Sequence, residues 1–117
     1  MQPDWCEHAG VGVTVCDAEG IILSMNDMAA AIFQKSGGRE LIGKSMMACH
    51  PPGAQEKIRE LLQTQKPYCY TVEQRGVKTL LYQAPWKENG RFAGFVEFIL
   101  VLPDVVPHLD KINWVKK

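Results

Sequence analysis

Residues 68–102 constrain this chain more than any other part of it, because three strand-like runs follow one another there with few residues to spare. The runs 68–75, 77–86 and 91–102 carry the aromatic and aliphatic residues that suit a pleated, half-buried surface, and the last is the most continuously apolar part of the chain. Arg75-Gly76 separates the first two and Lys87-Glu88-Asn89-Gly90 the last two; an Asn-Gly pair is a strong hairpin signal. Strands joined by such short turns pair antiparallel. Ahead of them, from Pro52 onward, Ala54, Ile58, Leu61 and Leu62 share one helical face, while Gln55, Glu56, Lys57, Arg59, Glu60 and Gln63 share the other. That apolar stripe needs a sheet to cover.

The first half supplies the remaining elements. Val11, Val13 and Val15 alternate along 11–17, Asp17-Ala18-Glu19-Gly20 suits a tight turn, and 21–25 returns as a second strand. Asn26-Asp27 are helix-capping types ahead of Met28-Ala29-Ala30-Ala31-Ile32-Phe33, a short helix that ends near Gly37-Gly38. Residues 39–42 can make one more turn, and 45–50 form an irregular segment stopped by Pro51-Pro52. The order predicts an α+β fold, a five-stranded antiparallel sheet with helices packed on one face.

A chain of 117 residues has room for one such core and not two. We expect a domain over 11–102, with flanking segments at 1–10 and 103–117. In the latter, Val105, Val106, Leu109, Ile112, Trp114 and Val115 could line one side of a helix whose start Pro107 limits. Apolar residues at 46% and charged residues at 22% are those of a globular protein and argue against disorder. Thirteen basic residues balance thirteen acidic ones, so no field recruits nucleic acid or an anionic bilayer. No run approaches the roughly 18 apolar residues of a membrane span, and the start lacks a secretory pattern, which makes the expected location cytoplasmic. Cys6, Cys16, Cys49 and Cys69 have no zinc-site spacing and read as buried thiols rather than bridges.

Catalytic signatures are missing: there is no Gly-x-Ser-x-Gly elbow, no phosphate-binding Gly-rich loop with Lys, and no His-Glu-x-x-His. Asp17 and Asp27 stand at turn and cap positions, where carboxylates serve backbone hydrogen bonds. His8, Cys6 and His108 read as surface groups of the two ends. Cys49-His50 is the pair with chemical potential, because Pro51-Pro52 fix it just before the longer helix. The positive end of that helix disfavours imidazolium and favours thiolate, leaving His50 able to ligate and Cys49 more nucleophilic. The alternative is that His50 caps the helix or bonds a carbonyl while Cys49 fills core space.

In order and punctuation the chain resembles a PAS domain from about residue 11 to 102. Asp17-Ala18-Glu19-Gly20-Ile21-Ile22 followed by Asn26-Asp27-Met28-Ala29 resembles that family's first hairpin and first helix, and Leu41-Ile42-Gly43-Lys44 the segment that turns across its pocket. Cys49-His50-Pro51-Pro52, with Lys87 to Glu97, is similar to a branch in which a Cys-His-Pro segment opens the long helix, often alongside hemerythrin-like or histidine-kinase modules. The resemblance implies a sensing or interaction module and no enzyme. Its sheet and helices would enclose a small cavity, and its ends would pass a signal to an output domain such as a histidine kinase.

Two functions follow from the resemblance. One is a sensor that binds a small molecule or haem b, with His50 the leading polar contact and candidate iron ligand and Cys49 beside it. The other is a ligand-free dimerisation module. Flavin photochemistry is disfavoured because Gly43-Lys44 leads into Ser45-Met46-Met47 where the photosensors have Asn-Cys-Arg, and covalent haem because Met46 stands where Cys-x-x-Cys-His needs its first Cys. Trp5 and the apolar residues of 103–117 lie outside the expected sheet, and a homodimer would cover them.

Overall fold

The computed structural model describes residues 4–111, the side chains of Ala48 and Cys49 excepted. The sheet is five-stranded and antiparallel, with β1 (Gly12–Cys16), β2 (Ile22–Met25), β3 (Tyr68–Gln74), β4 (Val77–Glu88) and β5 (Arg91–Val101) in the order β2-β1-β5-β4-β3. The helices are α1 (Trp5–His8), α2 (Asp27–Ile32) and α3 (Pro52–Thr64), with tight 3-10 turns at Gln34–Ser36, Gly38–Leu41 and Met46–Cys49. The two turns in the strand-rich half use left-handed backbone, Arg75 and Gly76 in one and Asn89 and Gly90 in the other.

One core lies between the sheet and the helical side, built from Ile22, Met25, Ala29, Leu41, Met46, Ile58, Leu61 and Phe95. The stripe of α3 behaves as its spacing predicts: Ile58 and Leu61 are buried and Leu62 half-buried. Directly opposed residues share a face of a sheet. Thr14 opposes Glu97 and Val13 opposes Phe98, so the core face of β1 carries Thr14 and Cys16, and the valines look outward. There α1 borders Val13 and Val15, with Trp5 and Cys6 along the same groove.

Gly94 marks a close approach of two strands. A Cβ at this position would lie 1.9 Å from the Cys16 carbonyl oxygen, and its φ of +142° is one that only glycine adopts readily. Trp86 stands opposite Gly94, and its indole N–H donates to that same Cys16 carbonyl at 3.0 Å.

Two expectations need correction, and one element had no expectation attached to it. Residues 5–8 are helical although their mixed polarity carries no periodic signal. Cys69 is an exposed free thiol, whereas Cys16 is buried and Cys6 half-buried; burial pushes the Cys16 thiol up from its ordinary value. Residues 103–110 form no helix, and Val105, Val106 and Leu109 are exposed. Ile112, Trp114 and Val115 lie outside the described residues.

Candidate functional site

The site begins with how the chain enters α3. Ser45 Oγ accepts from the Met47 N–H and starts the turn Met46–Cys49; His50 and Pro51 are then extended, as residues preceding proline must be. Pro52 opens α3 in the first turn, where no N–H is needed. Gln55 reaches back from α3, donating to the Met47 and His50 carbonyls at 3.3 and 3.4 Å.

This geometry returns the His50 ring to its own turn, with Nδ1 2.8 Å from the Met46 carbonyl oxygen. A carbonyl only accepts, so Nδ1 carries the hydrogen, and in the neutral ring Nε2 bears the lone pair. The ring is half-buried, with the Phe33 ring centroid 6.3 Å away. His50 therefore makes the carbonyl bond that was the simpler expectation and also lines the space beneath α3. The side chain of Cys49 lies outside the described residues, so nothing places it beside His50.

The sheet faces His50 with polar groups that the sequence reading missed. Tyr68, Gln83, Glu97, Thr14 and Met25 oppose one another in a single row across all five strands. Gln83 and Glu97 are 3% and 5% exposed, and Gln83 Nε2 donates to Glu97 Oε2 at 2.6 Å. Burial pushes the Glu97 carboxyl up; the His50 charge and the Gln83 hydrogen bond oppose that only in part. Thr14 Oγ1 is the one buried side-chain oxygen or nitrogen among the described residues without a hydrogen-bond partner. One signal could have identified Glu97: it sits in the most apolar run of the chain, in phase with Phe95 and Ile99.

Two lobes of space meet at Met46, His50 and Gln83. The inner, about 20 Å³, lies against Thr14, Cys16, Phe33, Phe95 and Glu97. The outer, about 160 Å³, lies between α3 and β3 against Ala54, Ile58, Leu61, Tyr68 and Tyr70. Lys57 closes its side, with the ammonium 4.0 Å from the Tyr68 ring centre. The Tyr70 hydroxyl is pushed up to about 12, first by burial and then by the Glu97 charge, so it stays protonated at neutral pH.

A second cluster joins α1 to α2. Buried Asn26 uses its full hydrogen-bonding capacity: Oδ1 accepts from the N–H groups of Val13 and Ala29, and Nδ2 donates to the carbonyls of Cys6 and Val11. Arg39 binds Glu7, Asp27 and the Met25 carbonyl, and His8 Nδ1 lies 2.7 Å from Asp27. Asp17 serves its turn as expected, accepting from the N–H groups of Glu19 and Ile21. Among the described residues no group of acidic, His and Cys side chains could hold a metal ion, and no helix is long and apolar enough to cross a membrane.

A family model described as PAS fold matches residues 6–76. No curated protein matches the chain. Among solved structures, a PAS domain from Colwellia psychrerythraea is similar with a TM-score of 0.65 at 16% identity, over 85% of this chain and 92% of that one. The Aer2 receptor of Vibrio cholerae, described as a dual PAS-haem oxygen sensor, is similar with a TM-score of 0.62 at 16% identity, over 80% and 95% of the two chains. A sensory box sensor histidine kinase from Vibrio cholerae follows with 0.61 at 13% identity, over 84% and 85%. Likeness at these identities is a likeness of fold.

Proposed function

Because the chain belongs to the PAS fold family, we propose that it is a cytoplasmic sensory and regulatory domain that admits a small molecule beneath α3 and signals through its flanking segments. The observation that carries this reading is the two-lobed cavity, which has a half-buried His50 on one wall and buried Gln83 and Glu97 on the other. Burying a carboxyl and an amide against apolar neighbours costs stability that a purely structural core would not incur. His50 is the leading polar contact, and Cys49, its neighbour in the chain, the second. A histidine kinase is the output partner we propose, in keeping with the sensor kinase among the similar folds.

Haem has two points in its favour, the fold shared with the Aer2 receptor and the presence of His50. The residues do not fit it. Lobes of about 20 and 160 Å³ fall below the roughly 300–1,000 Å³ of ordinary drug-sized sites, and a porphyrin would press on the buried Glu97 and Gln83. A small ligand is the reading we hold.

Titration with indole and phenol, followed by amide NMR, tests it. Signals of Met46, His50 and Gln83 should move, and Ala54→Phe, which fills the outer lobe, should abolish the response. If neither probe moves them, the cavity is not a ligand site. Added haem should give no Soret band that depends on His50; a band lost in His50→Ala and kept in Cys49→Ala would restore the haem reading.

A further inference from the structure

The inner lobe offers hydrogen bonds of both kinds within a few ångströms. Thr14 Oγ1, buried without a partner, can donate one and accept others. Beside it Glu97 is held through one oxygen by the Gln83 amide, whose own carbonyl oxygen is an acceptor. Burial favours the protonated carboxyl, which adds an O–H donor next to a C=O acceptor. The outer lobe is of another character, walled by Met46, Leu61 and the paired rings of Tyr68 and Tyr70, whose centroids are 5.2 Å apart. Lys57 brings a positive charge to its side.

Resting on the reading of this cavity as a ligand site, we propose that its ligand is a small uncharged aromatic carboxamide, with the amide edge laid over Thr14 and Glu97 and the ring held by Met46 and Tyr70. The alternation of donor and acceptor along an amide edge matches the alternation on the strand row. A carboxylate has no hydrogen to donate to the acceptor oxygens of Glu97 and Gln83. A cation would face Lys57 and offers no acceptor to the Thr14 hydroxyl. The inner lobe, at about 20 Å³, takes no more than the edge of the amide, and the ring lies in the outer one.

Three probes of one shape separate these chemistries: benzamide, benzamidinium and benzoate, titrated by calorimetry and amide NMR at neutral pH. Benzamide should bind about tenfold or more tightly than either ion, the factor that one mismatched buried polar group brings. Thr14→Val should weaken benzamide about tenfold while raising the Tm of the free protein, because it removes an orphaned hydroxyl; Thr14→Ser should keep the affinity. A purely structural Thr14 would not give opposite signs for binding and Tm. If benzoate or benzamidinium moves the His50, Gln83 and Tyr70 signals at lower concentration than benzamide, the carboxamide assignment falls and the cavity reading stands. Loss of the assignment also follows if Thr14→Val binds benzamide unchanged, or if no probe moves those signals; in that last case indole and phenol decide the cavity reading separately.

Discussion

Glu97 shows how one residue can make a fold pH-dependent. Folding raises its carboxyl above the ordinary value, through burial first, with the His50 charge and the Gln83 hydrogen bond opposing. The folded chain then binds the proton more tightly than the unfolded chain, so this contribution is complete below the ordinary carboxyl value and is lost as the pH climbs through the raised one. Each unit of the rise corresponds to about 1.4 kcal/mol. Urea unfolding across that range should lose stability with increasing pH in the wild type, and the difference from Glu97→Gln should carry the slope. A slope of the opposite sign, or none in the difference, would mean that the carboxyl ionises freely in its place. The sequence concealed this residue because a glutamate on a strand reads as a solvent-facing group until the register is known.

Helix α1 makes the complementary case at the scale of an element. Four residues are too few to hold a helix by themselves. Its links are tertiary: Asn26 to the Cys6 carbonyl, and Arg39 and Asp27 to Glu7 and His8. The Asp27 carboxyl lies below its ordinary value, first because of the His8 hydrogen bond, with Glu7 and Arg39 adding to it. Its support is present above the ordinary carboxyl range and lost as the pH falls through the lowered value. Such exposed pairs carry little global stability. Arg39→Ala should therefore speed amide exchange at His8, whose N–H bonds the Asp4 carbonyl, while the urea midpoint of the whole chain moves little. Unchanged exchange at His8 would mean that Asn26 and Asp27 hold the helix without Arg39. The strands and α3 were legible because period-two runs, Gly turns and a helical stripe are local signals. Neither α1 nor the row Thr14-Glu97-Gln83 is local; both come into being when distant segments are brought together. The position of His50 at the entry to α3 was legible from its prolines, and the groups that face it across the cavity were not.

For the molecule as a whole, the most exposed large apolar side chains among the described residues lie toward the chain ends. Trp5 is 69% and Val105 76% exposed, Val106 and Leu109 are also exposed, and Tyr82 stands on the sheet face away from the core. The homodimer we propose would cover such surface. Light scattering at high micromolar concentration should give twice the mass of the chain, and removal of 103–117 should lower it toward the monomer; a full-length monomer at that concentration would end the proposal. Asn26 bears on the same ends. Its one side chain ties positions 6, 11, 13 and 29, so the leading segment and the first core helix share a single knot. A chain cut at residue 10 would lose more than a tether: one amide hydrogen in the protein interior would be left pointing at nothing, and the helix whose start it secures would be loosened from within.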